Sequence, residues 1–183
     1  MKALKKHTLS VLVENTAGVL SLVSRLFSRK GYNIESLAVG TTDDPAISRI
    51  TIEVMGDDQM IEQVMNQLRK LFPVYSVQRL APERSIRREL VLIKVKADSS
   101  DIRNEVIQIA NIFRASIIDV SLESLTLALI GDETKADAMQ KLLRSFGILE
   151  LVRTGMVALE RGQYTINDDN KEKGEFNYGK NVL

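Results

Sequence analysis

The run Thr8-Leu9-Ser10-Val11-Leu12-Val13-Glu14-Asn15-Thr16-Ala17-Gly18-Val19-Leu20, continuing to Lys30, decides how the rest of the chain is read. Leu9, Val11 and Val13 alternate with Ser10 and Leu12, the period of a strand with a buried face. From Val19 the spacing changes to three and four: Val19, Leu22, Val23, Leu26 and Phe27 form one stripe, the signature of an amphipathic helix. Between them lies a short polar turn, so a strand stops and a helix starts at or beside Gly18. A helix start presents unpaired backbone N–H groups and the positive end of the macrodipole, which suits a carboxylate or a phosphate. Asn15 adds an amide that donates and accepts. Gly18 has no Cβ to hold a ligand off the backbone. The same residues also have a local reading, in which Asn15 or Thr16 caps the helix and Gly18 makes the turn.

Working outward, Arg29-Lys30-Gly31 is a basic last turn followed by a permissive C-cap. Asn33 to Gly40 reads as a second strand, Thr41 to Pro45 as a turn, and Ile50, Ile52 and Val54 as a third strand. A helix over about Gln59 to Leu71 carries Ile61, Val64, Met65, Leu68 and Leu71, and a short strand near Tyr75 to Leu80 closes the unit. The order is strand, helix, strand, strand, helix, strand. After Ala81-Pro82-Glu83-Arg84-Ser85 the order begins again. Leu90 to Val95 is a strand, and Asp98-Ser99-Ser100-Asp101 offers caps to a helix with Ile102, Val106, Ile109, Ala110 and Phe113. Strands near Ser116 to Ser121 and Leu125 to Ile130 follow. A helix over about Glu133 to Ser145 precedes an extended stretch, Leu149 to Leu159, broken at Gly155.

The chain therefore reads as α+β, with two tandem ferredoxin-like βαββαβ units, each two helices on an antiparallel sheet. The expected boundaries are a first domain at 5–81, a linker at 82–88, a second domain at 89–161, and a flexible polar tail at 162–183. Apolar residues fall on both phases of the strands, Val11 with Leu12 and Val91 with Leu92. Both sheet faces are thus expected to be buried, and an oligomer is the simplest way to bury them.

Composition sets limits on function. The 183 residues include 44% apolar and 27% charged side chains with a net charge of +1, so no strong field invites nucleic acid. The absence of cysteine removes disulfides, thiolate metal sites and cysteine nucleophiles. No apolar run approaches the about 20 residues of a membrane span, and the first residues lack a signal-peptide core. The expected setting is cytoplasmic, without membrane or nucleic-acid partners. His7 is the only histidine and reads as an exposed terminal residue rather than a catalytic base or metal ligand. Asp43-Asp44 and Asp57-Asp58 read as turn and helix-start acids. There is no Walker loop and no dinucleotide glycine fingerprint. Catalytic and metal-binding residues are accordingly assigned as none.

A ferredoxin-like unit with Asn-x-x-Gly before its first helix resembles an ACT domain, a small-molecule sensor found on amino-acid biosynthetic enzymes. Ser10 to Leu37, SVLVENTAGVLSLVSRLFSRKGYNIESL, resembles more specifically the regulatory small subunit of acetohydroxyacid (acetolactate) synthase. Thr42 to Ile52, Phe113 to Gly131 and Glu150 to Gly162 resemble the same family, so the likeness covers Lys5 to Gly162.

The resemblance implies a non-catalytic subunit without a cofactor of its own. Thiamine diphosphate, Mg and FAD are expected on a separate large catalytic subunit, which the small subunit stimulates and makes sensitive to feedback, typically by valine, in branched-chain amino-acid and isoleucine synthesis. It also implies a homodimer through the ACT domains, with the effector between two chains. Asn15, Ala17, Gly18, Val19 and Leu20 are then expected from one chain, and Asn33 and Ile34 from the other. The alternatives are a stand-alone ACT-type sensor or adaptor for another enzyme, and a free-standing enzyme, which the lack of an acid–base pair disfavours. Asp98 and Asp101 repel a carboxylate, so no equivalent site is expected in the second domain.

Overall fold

The structure, a computed structural model, describes residues 4–166. They form two compact units, one made of residues up to 86 together with those from 158 on, the other of Arg87–Val157.

In the first unit β1 (Lys5–Glu14) leads into α1 (Val19–Lys30), followed by β2 (Ile34–Thr41), β3 (Ile47–Gly56), α2 (Asp58–Leu68) and β4 (Val74–Leu80). The sheet order is β2-β3-β1-β4, with β3 antiparallel to both β1 and β2 and β4 antiparallel to β1. This is the split βαβ arrangement, because each β–α–β connection crosses over one strand. The helix stripes are those of the sequence pattern. α1 buries Val19, Val23 and Phe27, and α2 buries Ile61, Val64, Met65 and Leu68. They pack on Leu9, Val11 and Val13 of β1 and on Ile50, Ile52 and Val54 of β3. Each such fully buried side chain contributes about 1.5–3 kcal/mol of hydrophobic stabilisation.

The second unit repeats the order with β5 (Ser85–Lys96), α3 (Ser100–Ile112), β6 (Ser116–Val120), β7 (Ser124–Gly131), α4 (Glu133–Leu143) and β8 (Ile148–Arg153). Its sheet runs β6-β7-β5-β8, and β9 (Val157–Glu160) pairs with β5 off that path. Val91, Ile93 and Val95 meet Leu125, Leu127 and Leu129 beneath Val106, Ala110, Ala136, Met139 and Leu143. The break at Gly155 is real: its φ is 81°, a left-handed conformation that suits glycine.

The expectation that both strand phases are buried holds in the first sheet but not in the second. In the first, Thr8, Ser10, Thr51, Glu53 and Leu80 on the face away from the helices are all buried. Part of the cover comes from residues 158–166, where Ser76 Oγ donates to the Ile166 carbonyl at 3.3 Å and Gln78 Nε2 donates to Glu160 Oε1 at 3.0 Å. In the second, Leu90, Ile130 and Val152 alternate with the core residues and stay 37–65% exposed.

The structure differs from the sequence reading at its boundaries. Residues 85–88 of the expected linker already belong to β5, preceded by a 3-10 turn at Pro82–Arg84. The compact second unit is Arg87–Val157, and residues from 158 on group with the first unit. Residues 162–166 of the expected tail dock, with Ile166 buried. Composition hid this, since one isolated Ile in a polar stretch has no period to reveal it. The remainder of that tail lies outside the described residues.

Candidate functional site

The turn after β1 is held by backbone and amide bonds to other loops. Glu14 N donates to the Pro73 carbonyl at 2.9 Å, and Asn15 N to the Ala46 carbonyl at 2.7 Å. The Asn15 side chain does not cap α1. Its Nδ2 donates to the Pro45 carbonyl at 2.8 Å, tying the turn to the loop between β2 and β3. A carbonyl only accepts, so this bond fixes the amide orientation and leaves Oδ1 as the outward acceptor. Thr16 does not cap either: its carbonyl receives only a long 3.4 Å bond from Val19 N. Sequence reasoning missed the role of Pro45 and Ala46, because their partner Asn15 lies 30 and 31 residues away.

The N-cap of α1 is Gly18, at φ 90° and ψ −14°, with no side-chain cap and no acid in the first turn. The other helices differ. α2 is capped by Asp57, α3 by Ser99 and α4 by Asp132, each accepting from a backbone N–H three residues on. The start of α1 therefore combines an uncapped row of donors, the positive end of the helix dipole and no compensating carboxylate. An ideal Cβ at Gly18 meets nothing within 4 Å, so the space before the helix is open. Ala17 is exposed and Leu20 is 42% exposed, an apolar wall beside the donors. Val19 behaves otherwise: its side chain is in the core, and only its backbone remains at the helix start.

Asn33 and Ile34 lie elsewhere. Ile34 pairs with Val54, and Val54 with His7, at the beginning of β1. Glu14, which leads into the turn, is seven residues further along, about 24 Å at 3.4 Å per residue. One chain thus does not bring Asn33 and Ile34 to the Asn15–Leu20 loop. Asn33 is exposed, and its Nδ2 donates to Glu35 Oε1 at 2.8 Å, which again leaves the amide oxygen outward. β2 is the outer strand of the sheet, hydrogen-bonded on one side only.

The titratable groups serve structure. His7 is not exposed, as its terminal position suggested, but 4% accessible on β1, with Nε2 donating to the Gly56 carbonyl at 3.0 Å. Burial lowers its pKa, with the carbonyl bond opposing the shift. Asp57 caps α2 and Asp58 pairs with Arg79 at 2.8 Å, while Asp44 accepts from Ala46 N within its turn. At the start of α3 the Ser99 cap and Asp101 occupy the place that is open in the first unit.

Two family models match the chain, one in each half. Residues 9–76 match a family model described as the AHAS small subunit-like ACT domain, and residues 88–162 one described as the small subunit of acetolactate synthase. The acetolactate synthase small subunit of Mycobacterium leprae is 50% identical over 162 residues, covering 88% of this chain and 95% of that protein. A probable acetolactate synthase small subunit of Methanothermobacter thermautotrophicus is 48% identical over 160 residues, covering 87% of this chain and 95% of the relative. The crystal structure of the Thermotoga maritima acetolactate synthase small subunit superposes with a TM-score of 0.82 at 40% identity, covering 87% of this chain and 99% of that one.

Proposed function

We propose, from the premise that the chain belongs to the acetolactate synthase small-subunit family and is a non-catalytic subunit of that enzyme complex, that it senses valine and conveys feedback to the large catalytic subunit. In the same reading it stimulates that subunit, which alone carries thiamine diphosphate, Mg and FAD and performs the condensation. The observation that carries the sensing role is the uncapped, acid-free start of α1 beside the outward Asn15 amide oxygen. A free amino acid has a carboxylate for the helix-start donors, an ammonium for amide oxygens, and a side chain for Leu20 and Ile34.

The site is complete only in a homodimer. Pairing the free edge of β2 with a second β2, antiparallel about its centre near Leu37 and Ala38, sets Ile34 of one copy opposite Thr41 of the other. Thr41 precedes the loop to which Asn15 is tied. Asn33 and Ile34 then reach the end of the sheet from which they are about 24 Å away within their own chain. Valine bound across that joint stabilises one arrangement of two chains, which is the differential binding that coupling requires.

The test uses the absence of cysteine. An Ala38→Cys chain places one thiol beside the two-fold axis, so oxidation links two copies only if β2 meets β2. A disulfide-linked dimer that retains valine binding supports the arrangement. A monomer under oxidation, with valine binding unchanged, removes it.

A further inference from the structure

The face of the first sheet that is turned away from the helices holds a cavity of about 200 Å³, and none of its lining residues belongs to the α1 turn. Its floor spans three strands. Ser10 on β1 stands opposite Gln78 on β4, and Arg49 on β3 is opposite Leu12, two residues along the same face from Ser10. Its roof is the returning segment, with Leu159, Glu160 and Ile166.

The polar groups here are unsatisfied in a consistent way. Ser10 is 1% exposed, and its Oγ has no hydrogen-bond partner. Gln78 Nε2 donates to Glu160 Oε1 at 3.0 Å; a carboxylate only accepts, so this bond fixes the amide and turns Oε1 away. That Oε1 is buried and also lacks a partner. The Arg49 guanidinium makes no hydrogen bond or ion pair among the described residues. Burial raises the pKa of Glu160, with Arg84 pulling the other way, so this carboxylate is short of solvent. Leu80, Leu159 and Ile166 supply apolar wall. Buried donors and acceptors without partners are rare in folded proteins and call for an occupant.

We infer that this cavity binds a small aliphatic α-amino acid as a zwitterion, independently of the α1 turn. Its carboxylate lies on Arg49 and the Ser10 hydroxyl, and its ammonium donates to Gln78 Oε1 and Glu160. The side chain rests on Leu80, Leu159 and Ile166. An anion alone satisfies Arg49 but leaves Gln78 Oε1 without a donor, which disfavours the corresponding 2-oxo acid. The volume has room for roughly seven water-sized groups, which fits alanine to valine.

The experiment is an NMR titration of the ¹⁵N-labelled full chain with alanine, with valine and with the 2-oxo acid matching valine. It reads the Gln78 side-chain amide and the Ser10 backbone amide. It is run on the native chain and on Gly18→Asp, which silences the α1 turn, so that failure at either place is seen separately. Saturable shifts at Ser10 and Gln78 with both amino acids, kept in Gly18→Asp, are expected. Binding at least about tenfold weaker for the 2-oxo acid, and for Arg49→Met and Ser10→Ala, is also expected, as for a lost charge-assisted contact. Ser10→Ala removes an unpartnered hydroxyl and keeps the fold, so it stands if Arg49→Met does not. No saturable shift at these nuclei, shifts lost in Gly18→Asp, unaltered affinity in Ser10→Ala, or equal affinity for the 2-oxo acid each overturns the proposal.

Discussion

Substitution at Gly18 separates the effector reading of the α1 turn from a merely structural one. Gly18 sits at φ 90°, and a Cβ added there meets no atom within 4 Å, so the cost of a side chain is local backbone strain and not a clash. For Gly18→Ala that strain is about 1–2 kcal/mol. Asn and Asp tolerate this conformation better, and either can cap the helix, which returns about 1 kcal/mol. An acid at the helix start adds a further 0.3–1 kcal/mol, roughly. Gly18→Asp should therefore be at least as stable as Gly18→Ala. Its effect on a bound carboxylate is opposite. Two carboxylates about 5 Å apart repel by about 1 kcal/mol in water and about 3 kcal/mol at an effective dielectric of 20, or about five- to 150-fold in affinity. The introduced side chain also occupies the donors that the effector needs. Urea unfolding and calorimetric valine titration of Gly18→Ala, Gly18→Asn and Gly18→Asp should rank stability as Asp, Asn, Ala and valine affinity as Ala, Asn, Asp. Equal valine affinity in Gly18→Ala and Gly18→Asp would refute the reasoning.

Asn15→Ala cuts the tie to Pro45. It should cost about 1 kcal/mol of stability and weaken valine binding by about tenfold, both readable in the same titrations. In the second unit Arg153 holds Glu89 through Nε at 3.0 Å and Nη2 at 2.6 Å, and reaches Asp137 through Nη1 at 2.9 Å. Glu89 is 5% exposed, so Arg153→Met leaves a buried charge uncompensated. The loss should be about 3 kcal/mol in urea unfolding, most of it recovered by adding Glu89→Gln. His7 gives a pH signature. Its folded pKa is depressed below 6.5 by burial, so as pH falls the unfolded chain takes up the proton first. Its contribution is full above 6.5 and is lost as pH falls through the lower folded value. Unfolding midpoints between about pH 7.5 and about pH 5 should fall less in His7→Gln than in the native chain.

The repeated βαββαβ order was legible because each element carries its own period. Phe27, Leu68 and Leu143, buried as the helix stripes require, are local information. The helix caps Asp57, Ser99 and Asp132 are equally local, lying one turn from the N–H groups they accept from. What the sequence did not reveal depends on partners distant in the chain. His7 looked terminal and exposed, but pairing with β3 places it beside Gly56 and out of water. Asn15 looked like a cap, yet its amide is spent on Pro45. Ile166 looked like part of a tail, but Ser76, 90 residues earlier, bonds its carbonyl. The cavity over Ser10, Arg49 and Gln78 was invisible for the same reason. Its floor is assembled by strand register and its roof by a segment with no pattern of its own.

Regulation without catalysis is the role assigned to this chain, and one assay tests it most directly. Acetolactate formation from pyruvate is measured for a thiamine-diphosphate-dependent large subunit alone, for this chain alone, and for the two mixed, with and without valine. The expected result is no product from this chain alone, a rate above that of the large subunit in the mixture, and inhibition by valine only there, lost in Gly18→Asp. A mixture that behaves as the large subunit does by itself, in rate and in indifference to valine, would contradict it.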